Sequence, residues 1–545
     1  MAEYIRGFIA IVRYLLPILS VLLVTFCGLG LLSKKGRRYK KVLLLDDMSE
    51  QSVNDGELLV GSGDTCDIVI DGINDEHCVI SVCGKSFTVR PIGKSKIGVN
   101  KHSVRVETAF APDDVISVGD REFSLRIKNN RKKDKERTNL YRASILCCLT
   151  LIQLLVMLSL IFAFPEKTAA IGGVFLGVAA FEWVYFIITK FKGAFIEVPV
   201  MFLITLGLSV VAHKGNDVIL KQTICIAAGL IGAIVLSYVL CSAKRAISLR
   251  FIAFTAGVAL FGVNMVFGVI YNGAQNWLNI AGFSFQPSEL IKVIFVFICG
   301  TSVEKISNIK DSLMFIAFAV FCLGSLAYLS DFGTALIYAV VLFTVVSIRF
   351  CNIKLIGALF GAALLLGGAV ILFFPYVAKR IFSFGQAFAN AADSGYQQTR
   401  AMIATASGGL FGVGGGRGTL IKVHAADTDI VFGLISEEWG LIVSLCVLSC
   451  FVIFTLYAIK VLTTSKSAYY GITACAAAVL LLIQTALNVF GSLDMLPFTG
   501  VTLPFISNGG SSVIACLMLT AFLRAPLALE HSVLKVKGEL KSEKN

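Results

Sequence analysis

Residues 282–300 read GFSFQPSELIKVIFVFICG, and they place an acid and a base, Glu289 and Lys292, at the mouth of an otherwise apolar run. Three residues apart on a helix, the two side chains share a face and can pair. Pro287 suits a first helical turn because it has no N–H to leave unpaired. Ser288 suits the N-cap, and Glu289 falls where the helix dipole favours an anion. A capped helix start with a structural ion pair accounts for the pattern. An ionisable pair at membrane depth is equally a candidate functional site, so the surroundings have to decide.

Those surroundings are oily. Of 545 residues, 56% are hydrophobic, and the mean hydropathy is +0.82, far above that of a soluble chain clothed in polar residues. A hydrocarbon core takes about 20 apolar residues per helix. Such runs stand at 7–32 and then at 143–164, 169–189, 194–212, 222–241, 251–271, 288–303, 313–329, 333–349, 353–375, 430–460, 468–490 and 510–526. The first exceeds a secretory core in length and lacks a small-residue cleavage site before SKKGRRYKK (33–41), so a retained anchor is expected. The net charge of +13 comes from Lys and Arg clusters beside the apolar runs, as the positive-inside rule requires, and no nucleic-acid partner is expected. Of the 15 cysteines, Cys66, Cys78 and Cys83 lie in a polar stretch and the rest within apolar runs or, for Cys351, at the edge of one, with no CxxC; neither disulfides nor zinc are expected.

Basic loops fix the expected sidedness. With 34–142 taken as cytosolic, including RKKDKER at 131–137, the alternation makes KFKG, SAKRAISLR, EKISNIKD, IRFCNIK and KVLTTSK cytosolic as well. It sends four polar or glycine-rich stretches outside: 271–288, 330–333, 377–429 and 491–511. Glu289 and Lys292 then stand at an extracytoplasmic face.

Residues 43–128 follow another rhythm, short β-rich runs such as DIVI, CVISV, SFTVRP, VISVG and EFSLRI between Gly, Asp and Asn turns. They predict a small cytosolic β-sandwich. The order LLVGSGDTCDIVIDGINDEHCVI followed by DDVISVGDREFSL resembles a forkhead-associated (FHA) domain. Such domains usually read phosphothreonine with an Arg after the first glycine and a Ser three residues before the His. Here those places hold Ser62 and Asn74, with His77 retained, and the usual Asn-Gly is not evident around Gly98. Without the Arg, bidentate phosphate capture is not expected, and the module is read as a docking scaffold for a cytosolic partner.

The outer stretches carry the chemistry. Residues 394–440, SGYQQTRAMIATASGGLFGVGGGRGTLIKVHAADTDIVFGLISEEWG, combine glycines, cations and carboxylates in a connection long enough to suggest function. Gly408, Gly409, Gly412 and Gly414 to Gly416 would let backbone N–H groups approach an anion, while Arg400, Arg417 and Lys422 would supply charge. Asp429 precedes the apolar run at Ile430. It suits a first-turn carboxylate held by the helix dipole or, equally, a general base whose pKa burial raises. FGSLDMLPFTGVTLPFISNGGSS (490–512) has two prolines in an oily setting, and irregular backbone at that depth lines a cavity.

From about residue 198 to 523 the chain resembles the SEDS family (shape, elongation, division and sporulation), which includes FtsW, RodA and SpoVE. The matching pieces are NGAQNWLNIAGFSFQPSELIK, DFGTA, GYQQTRAMIATASGGLFGVG, DTDIVFGLISEEWGL and LPFTGVTLPFISNGGSS. Asn276 stands where the family carries Arg before Trp277, Ser330 where it carries Pro, and Asp427 where many members carry His. The resemblance implies an all-α polytopic membrane protein, a ten-helix SEDS core plus about three extra transmembrane helices, with the small cytosolic FHA-like β-sandwich. The expected order is an anchor at 1–35, the FHA-like module at 40–130, a basic linker and two extra helices at 131–192, the core at 193–527 with its outer loop 377–429, and a cytosolic tail at 528–545, charged and disordered at its end.

The resemblance also implies a peptidoglycan glycosyltransferase of the bacterial cytoplasmic membrane, polymerising lipid II on the outer face alongside a class B penicillin-binding protein. Asp429, matching the family's essential acidic residue, would be the catalytic base. Glu289, Lys292, Trp277, Arg400, Gln397, Lys422, Asp331 and Ser511 would contact substrate. No cofactor is required, although a divalent cation on the diphosphate would be compatible. The alternatives from other classes are a lipid II flippase, since broken helices and intramembrane charge also line transport paths, and a non-catalytic division scaffold.

Overall fold

The computed structural model describes residues 2–32, 39–45, 50–53, 56–63, 66–70, 72–83, 86–93, 95–100, 102–111, 114–129, 131–189, 193–271, 274–280, 283–303, 309–350, 352–465 and 467–542. The chain divides into two compact units, one of residues Met1–Ser33 and Arg142–Asn545, the other of residues Lys34–Tyr141. The basic loop residues 33–38, 190–192 and 304–308 lie outside the described residues.

The first unit is helical: α1 (Ala2–Leu32), α2 (Arg131–Ala163), α3 (Thr168–Ile188), α4 (Ala194–Val211), α5 (Asn216–Leu240), α6 (Ala243–Ser248), α7 (Arg250–Phe267), α8 (Pro287–Val303), α9 (Ile309–Tyr328), α10 (Phe332–Phe350), α11 (Ile353–Phe373), α12 (Pro375–Phe382), α13 (Tyr396–Gly408), α14 (Val431–Thr464), α15 (Ala468–Ser492) and α16 (Gly510–Ser542). Every apolar run read from the sequence contains a helix, although the one read as 251–271 is helical only to Phe267 and ends in a strand. Among the described residues ten helices are long and apolar enough to cross a membrane, and Met314–Tyr328 and Gly510–Pro526 are shorter apolar helices; α8 has 17 residues. α4 is buried along nearly its whole length, whereas α11 buries none of its residues. A central helix is apolar all round because it meets protein on every side, and a lipid-facing one because it meets hydrocarbon.

Three differences from the expectations have local causes. The basic linker at 131–137 is the first turns of α2, since Lys, Arg and Glu are good helix formers. The outer connection 377–429 is not one loop: α12, α13 and a 3₁₀ turn at Leu420–Lys422 divide it. The tail, expected to be disordered at its end, continues α16 through Pro526 to Ser542, and residues 543–545 lie outside the described residues.

The second unit packs two sheets. β1 (Tyr39–Leu45), β2 (Glu50–Val53), β3 (Gly56–Gly61), β4 (Ile68–Val69), β5 (Cys78–Cys83), β6 (Ser86–Pro91), β7 (Ile97–Val99), β8 (His102–Val104), β9 (Thr108–Phe110), β10 (Val115–Val118) and β11 (Arg121–Asn129) form sheets of order β2-β1-β11-β10-β7-β8 and β4-β3-β5-β6-β9. The strands alternate, so Val60, Ile80, Phe87, Val89, Ile116, Val118 and Phe123 meet in one core. His77 is buried and its Nε2 lies 3.1 Å from Lys96 O, a structural role. In the helical unit, β12 (Val269–Tyr271), β13 (Ala274–Ile280) and β14 (Phe283–Phe285) form a small antiparallel sheet that leads into α8.

Candidate active site

α8 begins at Pro287, whose fixed φ and missing N–H suit the first turn. Ser288 is therefore carried inside that turn and is not the N-cap; its Oγ is buried without a hydrogen-bond partner. The Gln286 N–H donates to Ser511 Oγ at 3.3 Å, which ties the helix start to α16.

One turn in, Lys292 Nζ donates to Glu289 Oε1 at 2.7 Å, with both side chains almost wholly buried. The ammonium also donates to Gln484 Oε1 of α15 at 3.0 Å. Gln484 Nε2 in turn donates to Thr502 O at 3.0 Å and Thr502 Oγ1 at 3.1 Å. A buried charge is tolerated only when paired and hydrogen-bonded, and here the pair bridges α8, α15 and the chain around Thr502. Asp331 stands beside it. Its Oδ1 accepts the Thr334 N–H at 3.0 Å at the start of α10, while Oδ2 is buried without a partner, as is Glu289 Oε2. Burial pushes the Asp331 carboxyl above the usual carboxylate range, against the pull of Thr334 and of Lys292.

Asp429 ends the segment before α14. Its N–H donates to Ala425 O at 2.9 Å, and its carbonyl accepts Asn488 Nδ2 of α15 at 2.9 Å, a group that also donates to Val501 O at 2.8 Å. Gly500 faces the carboxylate so closely that an added Cβ would sit 3.3 Å from Oδ2. Burial pushes the half-buried carboxyl up to about 6, against the pull of the Thr428 hydroxyl, His424 and Arg380, with Asp427 adding to the rise. Gln484 and Asn488 are one turn apart, where Cβ atoms lie about 5–6 Å from each other. One face of α15 thus holds both the Lys292 ammonium and the Asp429 backbone.

The other expected residues are spread around this pair of clusters. Gln397 of α13 donates to His424 O at 3.2 Å and so fixes the backbone of a residue that acts on Asp429. Arg400, on the same helix, is exposed with its guanidinium 5.3 Å from the Tyr396 ring centroid, and Lys422 is exposed in the 3₁₀ turn. Trp277 is half-buried on β13 opposite Val269. Sequence reading missed Gln484, Asn488, His424 and Arg380. The first two carried a signal, polar residues four apart in an apolar run; the last two carried none beyond their charge.

The glycine run packs against the backbone of α14, and the residues just after it hold two anions of the chain itself. Glu437 Oε1 accepts the Thr419 N–H at 2.9 Å and its hydroxyl at 2.7 Å, and Oε2 accepts the Leu420 N–H at 3.0 Å. Glu438 Oε1 accepts the Gly418 N–H at 3.0 Å. Gly440, at φ +86°, breaks α14 there, and Gly412, at φ +81°, lies so close that a Cβ would meet Glu438 O at 2.2 Å. The amides these carboxylates take are those of Gly418, Thr419 and Leu420, which follow the glycines expected to cradle a ligand; the N–H groups of Gly409, Gly412 and Gly414 donate to the main-chain carbonyls of Ala406, Gly408 and Glu438. Among the described residues no three His, Cys, Asp or Glu side chains are grouped to hold a metal ion.

A family model described as a cell cycle protein, for FtsW, RodA and SpoVE, matches residues 184–528. The chain belongs to the FtsW, RodA and SpoVE family. It is therefore a multi-pass membrane protein, and its second unit matches the FHA domain model over residues 58–119. Among this family's curated members, the probable peptidoglycan glycosyltransferase FtsW of Enterococcus hirae is 28% identical over 52% of this chain and 76% of its own length. The protein of the same description from Tolumonas auensis is 33% identical over 48% of the chain and 71% of its own. The stage V sporulation protein E of Bacillus subtilis is 30% identical over 47% and 72%. A structure solved in work on the coordination of polymerization and crosslinking by a peptidoglycan synthase complex shares the fold, at a TM-score of 0.52 and 24% identity, over 61% of this chain and 96% of that one.

Proposed function

We propose that the chain is a peptidoglycan glycosyltransferase that polymerises lipid II at the outer face of the cytoplasmic membrane. The carrying observation is Asp429, a half-buried carboxylate with its pKa pushed up to about 6 beside His424 and Arg380, on the same face of α15 that holds the Glu289–Lys292 bridge. In the reaction the 4-hydroxyl of one lipid-linked disaccharide attacks the anomeric carbon of another. A C–O bond forms there, the bond to the lipid diphosphate breaks with its electron pair leaving on the diphosphate, and Asp429 takes the hydroxyl proton. A positioned base of this kind contributes ~10²–10⁴-fold.

Arg380 is the cation assigned to the departing diphosphate, with His424 as a hydrogen-bond donor beside it; Arg400 and Lys422, both exposed, are assigned to its approach. Lys292 is engaged by Glu289 and Gln484, so its role is to hold α8 against α15. A class B penicillin-binding protein is the partner this reading implies, and the FHA unit is assigned to docking a cytosolic protein. The decisive experiment is glycan-chain formation from purified lipid II by the full chain, with and without such a partner. Long polymer from the wild type supports the reading, and movement of lipid II across vesicles without any polymer would overturn it in favour of a flippase.

A further inference from the structure

α2 and most of α3 precede the family match, yet their connecting turn reaches the neighbourhood of the site. Lys167, half-buried at the end of the 3₁₀ turn Pro165–Lys167, donates from Nζ to Ala212 O at 3.1 Å and to His213 O at 3.3 Å. These carbonyls close α4, where the helix dipole favours a cation. The same ammonium lies 4.6 Å from the Phe164 ring centroid, and that ring meets His213 edge-on at 5.1 Å.

From this helix end two side chains go on toward Asp429. His213 Nε2 is 2.7 Å from Glu438 Oε1, the oxygen that also accepts the Gly418 N–H. Lys214 Nζ is 3.3 Å from Asp427 Oδ1, and Asn508 donates to Asp427 Oδ2 from its side chain and to Asp427 O from its backbone, each at 2.8 Å. At the other end of α4, Tyr185 of α3 donates to Glu197 Oε1 at 2.7 Å, and Arg524 pairs with that same oxygen at 2.9 Å. The hairpin thus grips both ends of the most enclosed helix in the unit.

We propose that the α2–α3 hairpin braces the catalytic segment and that Lys167 is a positioning residue. By fixing the end of α4 it sets His213 and Lys214, and through them the glycine run and residues 427–429. The inference rests on Asp429 being the base, but its first test does not need activity. In the full chain in lipid nanodiscs, Lys167→Met should raise amide hydrogen exchange across 413–430 by about ten-fold while leaving the inner half of α14 unchanged. Lys167→Arg, which keeps the charge, should restore protection. In polymerisation, Lys167→Met should lower kcat with little change in KM and displace the acid limb of the rate profile, with Lys167→Arg again close to wild type.

Unchanged exchange across 413–430, or exchange raised evenly through the whole helical unit, would overturn the brace even if polymerisation is confirmed. Should Lys167→Met fail to fold, Lys214→Met breaks only the link to Asp427. It should raise exchange at 427–429 and 508, and no change there would sink the proposal equally.

Discussion

At Asp429 the chemistry and the packing pull on one carboxylate. A general base works only when ionised, and burial holds this carboxyl protonated up to about pH 6, roughly two units above the usual value. The proton is retained below that pH and lost above it, so the polymerisation rate should climb as pH passes upward through about 6 and then level off. An initial-rate profile between pH 5 and 8 that stays flat would remove Asp429 from the role of base. In Asp429→Asn the carboxylate is gone and the backbone contacts to Ala425 and Asn488 remain; chain formation should fall ~10²–10⁴-fold with an unaltered melting temperature. Gly500 gives a second residue-level expectation. At φ +68° a non-glycine residue is strained by about 1–2 kcal/mol, and its Cβ would press on Oδ2 at 3.3 Å. Gly500→Ala should therefore lower both the melting temperature and the rate, and a variant that keeps wild-type turnover would show that the carboxylate does not depend on this neighbour.

At the scale of elements, the break in α14 is what holds the outer connection in place. Glu437 accepts three hydrogen bonds with two oxygens, so Glu437→Gln would turn one acceptor into a donor aimed at a donor. Leaving such a buried group unsatisfied costs about 1–3 kcal/mol. The expected result is a lower melting temperature in detergent together with protease sensitivity between 409 and 424; protection there equal to wild type would mean the carboxylate does not organise the run. Single-element features of this kind explain which parts of the site could be read in advance. Glu289 and Lys292 were legible because both charges fall within one helical turn of an apolar run. Their shared partner Gln484 sits on a helix far along the chain, and only packing brings it there. The glycines announced a close approach of backbone, but what they approach is the main chain of α14 and the Trp439 ring; the anions Glu437 and Glu438 are held instead by Gly418, Thr419 and Leu420, just after the run. Ser288 was misplaced by two positions, second residue of the helix instead of its cap, because proline and serine both favour the start of a helix and Pro287 begins it.

For the whole molecule, hydropathy alone was enough to lay out the helical unit, since a bilayer imposes a length and an apolar surface on each span. Alternation with turn residues was enough for the β unit. Neither pattern tells what the β unit binds, and there the structure sharpens the expectation. Ser62, at the place where an Arg would be needed, donates its hydroxyl to Ile73 O at 3.0 Å and to Asp75 Oδ1 at 3.2 Å. Asn74 is turned away to Ser95 Oγ at 2.9 Å. A phosphothreonine brings a charge of about −1.5 to −2; here it would meet the Asp75 carboxylate with no guanidinium at position 62 to grip it in bidentate fashion. The full chain should show no saturable binding of phosphothreonine peptides up to millimolar concentration by isothermal titration, and phosphatase treatment of a lysate should leave any protein captured through this unit in place. Ser62→Arg together with Asp75→Ser replaces repulsion by a fork of donors, and it should create measurable, phosphate-dependent binding. Micromolar binding by the wild type, abolished by dephosphorylation, would instead mean that cations elsewhere on the unit have taken over the work of the missing Arg.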